Sequence, residues 1–214
     1  IVKDTAGNPL GVGDKIVTSV ISCGDCYNCR MTPGRTNLCA NQGVFGLIGD
    51  KRGQNEGNRI NGWFADYMLI RGGEASGATF FQVNELNLNQ RMILELACVC
   101  VHALERGQKT GLLNFGSKVL VQGCGPIGLL FAQLARASGA RVACVEIKEN
   151  RMAVARKLGL DVYMAGPDVK EKLIAKWGRR ANFCIDAAGG QLVTAIDYAE
   201  YRGTILCFAG PRTA

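Results

Sequence analysis

The fold of this chain is decided by the stretch Val119-Leu120-Val121-Gln122-Gly123-Cys124-Gly125-Pro126-Ile127-Gly128. Its apolar start predicts a buried strand, and its G-x-G-x-x-G spacing predicts a tight turn into a helix. In such a turn Gly123 permits the bend, Gly125 lets the backbone approach a pyrophosphate, and Gly128 lets the helix pack against the strand. The N-terminus of the helix then offers unpaired N–H groups and a positive dipole end to phosphates.

A glycine triplet alone is a weak signal, but the residues around it complete a βαβ pattern. From about residue 117 onward, apolar runs alternate with helical periodicity, and proline or glycine marks the helix ends. The sequence predicts strands at 118–121, 141–145, 183–186 and 204–208, and helices at 126–138, 150–158, 191–201 and from a capping box at Asp168 and Glu171 to Trp177. This alternation implies an α/β fold with a doubly wound parallel sheet of the Rossmann type, covered on both faces.

The second strand of this unit ends at Glu146, eighteen residues beyond Gly128. A carboxylate at this position can accept both ribose hydroxyls of NAD and would repel the extra phosphate of NADP. A solvated glutamate at a strand end is the alternative, and Lys148 and Arg151 nearby would soften the repulsion of NADP. Strand, turn, helix and carboxylate together favour a dinucleotide site, with NAD preferred over NADP.

The N-terminal half of the chain has a different pattern. Up to about residue 90, short β-like runs are broken by glycine and polar turns, for example at 15–21 and 65–70. Between these runs, 43–62 is rich in Gly, Asn and Arg without any period, which predicts a long loop. A length of 214 residues is enough for two modest domains.

Four of the ten cysteines crowd into seventeen residues, as Cys23, Cys26, Cys29 and Cys39. Three thiolates on one knuckle, with a fourth that returns after a turn, indicate a closed tetrahedral zinc site of structural type. Disulfides and an iron–sulfur cluster are the alternatives. The other six cysteines sit singly in apolar stretches, which is typical of a reducing cytosol, so we expect a cytoplasmic protein.

Charge and hydropathy bear on the partners. The formal net charge is +7, but Lys and Arg are scattered among Asp and Glu with no run of five like charges. Nucleic acid is therefore not an expected partner. No apolar run reaches the ~18 residues that cross a bilayer, so a membrane is not expected either.

A carboxylate lies inside an apolar helical pattern at 91–106. That pattern is apolar nearly all round, which predicts a buried helix. Glu95 lies within it, and a buried carboxylate needs a cation or hydrogen-bond donors. A metal ion and an arginine are both suitable partners. His102, the only histidine, lies seven residues further on, and packing is its simplest role.

Taken together, these motifs resemble the zinc-containing medium-chain alcohol dehydrogenases, especially the polyol (sorbitol-type) and threonine dehydrogenase branch. The similarity covers almost the whole chain. It is carried by the segments 13–17, 23–39, 62–67, 94–97, 102–104 and 123–128, with Glu146 and Arg151. The chain departs from the family pattern in three ways. Leu96 replaces a proline, the loop before Cys39 is two residues longer, and the family's upstream cysteine and Gly-His-Glu segment are not in the sequence.

The resemblance implies two domains and the residues of two sites. Residues 1–106 would be an incomplete, mostly β GroES-like catalytic domain with a zinc lobe at 22–40, and residues 107–214 an NAD-binding Rossmann domain. We expect the chain to be truncated at both ends. The implied cofactor-binding residues are Gly123, Gly125, Pro126, Ile127, Gly128, Glu146 and Arg151, and the implied catalytic residue and ligand of a catalytic zinc is Glu95.

The resemblance also implies a reaction. Hydride would pass between a polyol or secondary alcohol and NAD, with zinc acting as a Lewis acid on the substrate oxygen. A homodimer or homotetramer is expected from the same family. Two alternatives stay open. One is a catalytically incomplete NAD-binding, zinc-stapled module that senses cofactor or contacts a partner, and the other is an NADPH-dependent aldehyde or ketone reductase of the same family.

Overall fold

The computed structural model describes residues 3–45, 62–63, 65–70 and 78–210. The chain divides into two compact units, Ile1–Glu95 and Leu96–Ala214. This division falls inside a long helix, α2 (Leu88–Gln108), whose last turns supply buried residues to the core of the second unit. The domain boundary predicted after residue 106 stays a prediction. Most of the loop predicted at 43–62 lies outside the described residues.

The first unit contains a small antiparallel sheet and the cysteine lobe. Strand β1 (Ile16–Ile21) pairs with β2 (Ala78–Gln82), and Ile16 lies opposite Gln82. The strand predicted at 15–21 is therefore confirmed. The strand predicted at 65–70 is wrong, because none of these residues pairs with a described strand.

The cysteine lobe is built from short elements. It holds α1 (Tyr27–Met31) and a 3₁₀ turn (Thr36–Leu38). Neither element has a buried residue of its own. The lobe is joined internally by the four thiols, which lie within 4.8 Å of one another, and by the hydrogen bond that Nδ2 of Asn28 donates to the carbonyl oxygen of Leu38.

The second unit is a five-stranded parallel sheet with helices on both faces. The sheet order is β5-β4-β3-β6-β7. Its strands are β3 (Lys118–Gln122), β4 (Arg141–Glu146), β5 (Asp161–Met164), β6 (Ala181–Asp186) and β7 (Ala199–Cys207). The helices that connect them are α3 (Pro126–Ala137), α4 (Glu149–Lys157), α5 (Val169–Trp177) and α6 (Leu192–Tyr198). The predicted Rossmann-type doubly wound sheet is confirmed.

Alternation along the central strand separates the two layers of the core. Val119 and Val121 belong to the cluster that contains Phe131 of α3, whereas Leu120 belongs to the cluster that contains Leu173 of α5. Because successive side chains of a strand point to opposite faces, one strand feeds both clusters. The chain runs from β3 outward through β4 and β5, then returns to place β6 on the other side of β3. A crevice forms between β3 and β6, where ligands of open α/β sheets bind.

The start of α5 differs from the prediction. Asp168 is the N-cap, but its side chain makes no capping hydrogen bond, because its backbone already has helical angles (φ −87°, ψ −2°). Its carboxylate lies 2.5 Å from Nζ of Lys172 instead. The capping box expected with Glu171 is therefore absent from this described helix. None of the helices in the described ranges is long and apolar enough to cross a membrane.

Candidate functional site

A cleft of about 640 Å³ opens in the second unit at the carboxyl ends of its strands. Its floor follows the ends of β3, β4 and β6, the place where a dinucleotide crosses a doubly wound sheet. The residues that line it are Gln122, Gly123, Gly125, Val145, Glu146, Ile147, Lys148, Arg151, Ala165, Gly166, Pro167, Ala187, Ala188, Gly189, Gln191, Thr194, Asp197 and Tyr198.

The three glycines of the turn have three different environments. Gly123 has φ +98°, a conformation that side chains disfavour, and a Cβ on it would lie 3.1 Å from that of Ala188. A Cβ on Gly128 would lie 1.9 Å from the carbonyl oxygen of Gly123, so only glycine allows this helix to approach the turn. A Cβ on Gly125 would meet nothing closer than Nη1 of Arg151 at 4.0 Å. Gly123 and Gly128 therefore shape the turn, while Gly125 leaves the cleft open.

The first turn of α3 faces this opening. Gly125 is its N-cap and Pro126 its first residue, and no side chain caps the end. Proline has no N–H to leave unsatisfied, and its fixed φ suits the first helical position. The N–H groups of Ile127 and Gly128 have no carbonyl four residues before them inside the helix. These groups and the helix dipole make the end suitable for an anion.

Glu146 is a buried carboxylate at the end of β4, with 4% of its surface exposed. Its Oε2 accepts a hydrogen bond of 2.8 Å from the N–H of Cys124, and its Oε1 accepts 2.8 and 3.1 Å bonds from the N–H groups of Ile147 and Lys148. Burial raises the pKa of Glu146, but these hydrogen bonds and the Arg151 charge outweigh it, and the pKa lies below the ordinary 4.5. The carboxylate is therefore ionised at neutral pH.

The contacts of Glu146 limit what else it can accept. Each carboxylate oxygen offers about two lone-pair sites. Oε1 already accepts two backbone hydrogen bonds, while Oε2 accepts one and lies 3.8 Å from Nη1 of Arg151, too far for a direct bond. The arrangement leaves Oε2 room for one further donor. A single ribose hydroxyl fits this capacity better than the two expected from the sequence.

Two buried polar residues at strand ends, one lining the cleft and one fixing the turn beside it, were not identified from the sequence. Asp186, at the end of β6, is 2% exposed, and its carboxylate accepts hydrogen bonds from the N–H groups of Ala188, Gly189 and Gln191. Gln122, at the end of β3, donates from Nε2 to Oγ1 of Thr194 at 2.9 Å. The sequence does contain a signal for both residues, because each is the polar residue that ends an otherwise apolar strand.

The four clustered cysteines come together in the first unit. Their sulfur atoms all lie within 4.8 Å of one another, with Cys26 and Cys29 at 3.5 Å and Cys23 and Cys29 at 4.0 Å. Four sulfurs bound tetrahedrally at 2.3 Å would be about 3.8 Å apart, so the tetrad matches zinc. Cys39 also accepts a hydrogen bond from the N–H of Cys23 at 3.2 Å. All ten cysteines lie in described segments and no disulfide joins any of them, so the structure does not support the disulfide alternative.

The thiols of the tetrad have unequal proton affinities. Backbone N–H groups of Ala40 and Cys29 lower the pKa of Cys26 to about 6. Burial and the neighbouring Cys26 raise the pKa of Cys29 to about 12. Four thiolates this close repel one another, and a divalent cation would neutralise that repulsion. The donor set therefore fits a closed metal site, and Cys23, Cys26, Cys29 and Cys39 are the residues that would hold the ion.

The surroundings of Glu95 differ from the prediction. The helix α2 was expected to be buried, but Glu95 is exposed, as are Met92 and Ile93 beside it. His102 is exposed as well. The buried residues of α2 are Cys100, Ala103, Leu104 and Gly107. A single stripe of the helix is covered, so its apolar composition overstated its burial, and the predicted burial of Glu95 is wrong.

In the described ranges, the cysteine tetrad is the one cluster of three or more His, Cys, Asp or Glu side chains that could hold a metal ion. Glu95 does not belong to any group of three or more possible metal ligands among the described residues. Its assignment as a ligand of a catalytic zinc stays a prediction.

The chain is similar to several known dehydrogenases. The family described as zinc-binding dehydrogenase matches residues 126–214. The chain is 30% identical to a D-altritol 5-dehydrogenase of Agrobacterium fabrum, over 83% of this chain and 47% of that protein. It is 30% identical to a sorbitol dehydrogenase of Arabidopsis thaliana, over 94% of this chain and 52% of that protein. The crystal structure of an alcohol dehydrogenase from Thermotoga maritima superposes with a TM-score of 0.73 at 25% identity, covering 95% of this chain and 56% of that one.

These similarities agree with the site geometry. The chain spans about half the length of the relatives it matches. The resemblance to the polyol dehydrogenase branch is confirmed, and the matched family segment begins at the first residue of α3. Residues 126–214 therefore carry the zinc-binding dehydrogenase domain, and Gly123 and Gly125 of the glycine turn and the cysteine tetrad lie in the part of the chain that precedes it.

Proposed function

We propose that this chain acts in a zinc-dependent oxidoreductase that transfers a hydride between a polyol or secondary alcohol and NAD. The observation that carries the proposal is the cleft, where an open glycine turn and an ionised, buried Glu146 lie side by side. Relatives that are named polyol dehydrogenases support the substrate class.

The cofactor would lie along the cleft with its pyrophosphate at the glycine turn and its adenosine ribose at the end of β4. Its pyrophosphate would approach Gly125 and the N–H groups of Ile127 and Gly128, where the backbone is open and the helix dipole is positive. The adenosine ribose would then donate one hydroxyl to Oε2 of Glu146. Arg151 borders the same space, with its guanidinium 3.8 Å from that oxygen, and it adds positive charge near the phosphates.

NAD is favoured over NADP by the charge of Glu146. A 2′-phosphate would bring its negative charge against a carboxylate that is ionised and fixed by three backbone hydrogen bonds. Lys148 and Arg151 line the same part of the cleft and reduce this repulsion. Because the carboxylate is buried and the two cations reach solvent, the repulsion dominates.

Zinc has two proposed roles. In the first unit, the cysteine tetrad would hold a structural ion with no open position for a substrate. A catalytic zinc, when bound, supplies Lewis acidity that lowers the pKa of a substrate hydroxyl. Glu95 is our proposed ligand for that second ion, and the remaining ligands would come from outside the described residues. Cysteines without disulfides in the described segments fit a reducing cytoplasm, which we propose as the location, and a homo-oligomer is our proposal from the family.

A non-catalytic function is the second candidate. Glu95 is exposed, and the described residues gather one metal site, the tetrad. A zinc-stapled module that binds NAD without oxidising an alcohol would have the same cleft and the same tetrad.

The test combines cofactor binding with turnover. Calorimetric titration with NAD and NADP measures the two dissociation constants, and we expect NAD to bind at least tenfold more tightly. A panel of polyols and secondary alcohols with NAD, followed at the absorbance of NADH, tests catalysis. Binding of neither nucleotide would refute the proposed function. Binding of NAD with no turnover by the complete protein would favour the sensing module, and tighter binding of NADP would favour the reductase alternative.

A further inference from the structure

Gln122 has a buried polar atom without a partner. The residue is 4% exposed and lies at the end of β3, on the floor of the cleft. Its Nε2 donates to Thr194, but its Oε1 accepts no hydrogen bond from any described residue. Buried carbonyl groups are rarely left unsatisfied, because the loss of solvation is large. An orphan acceptor on the floor of a ligand cleft indicates a donor that arrives with the ligand.

The contacts of Thr194 set the orientation of the amide. Oγ1 of Thr194 lies 2.9 Å from the carbonyl oxygen of Gln191 and 2.9 Å from Nε2 of Gln122. A hydroxyl has one hydrogen, which it donates to the carbonyl, so it accepts from the amide nitrogen. Gln122 therefore turns its NH₂ toward α6 and leaves its oxygen as the free group.

The position of Gln122 in the cleft points to one part of a dinucleotide. With pyrophosphate at Gly125 and ribose at Glu146, the base lies beyond the ribose and away from α3. That end of the cleft is lined by the turn Ala165, Gly166 and Pro167 after β5 and by Thr194 and Tyr198 of α6. Pro167 and the ring of Tyr198 offer surfaces on which a purine can stack, and Asp197 lies beside Tyr198 on the same helix. Gln122 ends the strand beneath them.

We propose that Oε1 of Gln122 accepts a hydrogen bond from the 6-amino group of the adenine base and so makes the cleft selective for 6-aminopurine nucleotides. The inference rests on the proposed dinucleotide site. Oε1 is closed to water, and because the terminal torsion of the side chain is soft, a rotation small enough to keep the bond from Nε2 to Thr194 would turn Oε1 toward the base. The amino group then satisfies the one acceptor that the protein leaves unpaired.

A purine without the 6-amino group should bind less tightly. Hypoxanthine has a carbonyl oxygen at the position where adenine has the amino group, and it is otherwise the same size. In its complex two acceptors would face each other, and Oε1 would stay unsatisfied. The hypoxanthine dinucleotide would lose this buried hydrogen bond, and its carbonyl oxygen would face Oε1 of Gln122. We therefore expect it to bind about tenfold more weakly than NAD.

The experiment compares two dinucleotides on the unmodified chain and on Gln122→Met. Calorimetry gives dissociation constants for NAD and for nicotinamide hypoxanthine dinucleotide. We expect the chain to bind NAD about tenfold more tightly than the hypoxanthine analogue. Methionine has a similar volume and no acceptor of that strength, so Gln122→Met should bring the ratio to within about twofold. Gln133→Met is the matched control, because Gln133 donates within its own helix to Leu129 and does not line the cleft.

Each outcome has one meaning. If neither dinucleotide binds, the proposed function is wrong. If both bind equally to the unmodified chain, or if Gln122→Met keeps the full ratio, the inference about Gln122 is wrong and the dinucleotide site stands. Thr194→Val guards against a folding defect in Gln122→Met, because it leaves Gln122 in place and removes the hydroxyl that orients its amide. We expect this variant to reduce the ratio as well, and an unchanged ratio would also count against the inference.

Discussion

Gly128 lies so close to Gly123 that a methyl group on Gly128 would stand 1.9 Å from the carbonyl oxygen of Gly123. The backbone of α3 is thus in direct contact with the turn that precedes it. Gly125, between them, has open space where its side chain would be. Gly128 therefore allows close packing of the helix, whereas Gly125 keeps space open for a ligand, and substitution of each by alanine should affect a different property.

Gly128→Ala should destabilise the fold. The added methyl group meets backbone, which cannot rotate away, so α3 must shift from β3 at a cost of about 3 kcal/mol or more. Thermal unfolding measures this. Gly125→Ala is the contrast, since its φ of −72° and open surroundings accept a methyl group, and its melting temperature should change little. Its affinity for NAD should fall, because the methyl group occupies the approach of the pyrophosphate. Equal melting temperatures for the two variants would contradict this division of roles.

Glu146→Gln should weaken NAD binding by about 10- to 100-fold, because hydrogen bonds to a charged group are worth more than neutral ones. It should also narrow the preference for NAD over NADP. Glu149→Gln makes the same charge change nearby, at an exposed residue that pairs with Arg156, and should alter affinity by less than about twofold. Titration calorimetry measures the NAD affinity of both variants. Similar losses of affinity in Glu146→Gln and Glu149→Gln would show that only net charge matters.

Acid should remove the contribution of Glu146 to stability. Its folded pKa lies below the unfolded value near 4.5, so the folded state favours the ionised form. That stabilisation is fully present above this value and is lost as the pH falls through the folded pKa. The difference in unfolding free energy between the unmodified chain and Glu146→Gln should therefore shrink from pH 6 toward about pH 3. A difference that stays constant over this range would be inconsistent with the pKa shift.

The cysteine tetrad should hold one zinc ion. Metal analysis by mass spectrometry should find zinc bound, and Cys39→Ser should lower its occupancy and reduce the melting temperature by about 5 °C or more. Cys207→Ser is the control, since Cys207 is an exposed thiol outside the tetrad, and it should leave the zinc content unchanged. Iron in place of zinc, with visible absorbance, would support the cluster alternative instead.

Glu95→Ala tests the proposed catalytic ligand. Because Glu95 is exposed, the substitution should change the unfolding free energy by less than about 0.5 kcal/mol. In the complete protein it should lower both alcohol oxidation and the zinc content, whereas Glu105→Ala, an exposed acid on the same helix, should affect neither. Zinc content that is unchanged on Glu95→Ala would overturn the assignment.

The Rossmann unit could be predicted from local pattern because its strands are apolar and its helices have clear ends. Predicted helix bounds at 126–138 and 150–158 differ by a residue at most from those of α3 and α4. The edge strand β5 was not predicted, since four residues with exposed ends carry little periodicity. Composition also failed at α2, where Val99 and Val101 are apolar yet exposed. Composition cannot tell which stripe of a helix has a neighbour.

The site was predictable in part for the same reason. Glycine spacing and the acid after β4 follow from steric and electrostatic needs that are local in sequence. The polar floor of the cleft is different, because Gln122 and Thr194 lie seventy-two residues apart and meet only through the sheet order. Contacts of that kind depend on topology, which a single strand or helix does not reveal.

The three hydrogen bonds that Glu146 accepts from the protein's own backbone join the glycine turn to the segment after β4. A nucleotide would meet a backbone that is already ordered. Little configurational entropy should then be lost from the protein on association, so the calorimetric entropy of NAD binding should be governed by released water and by the flexible ligand.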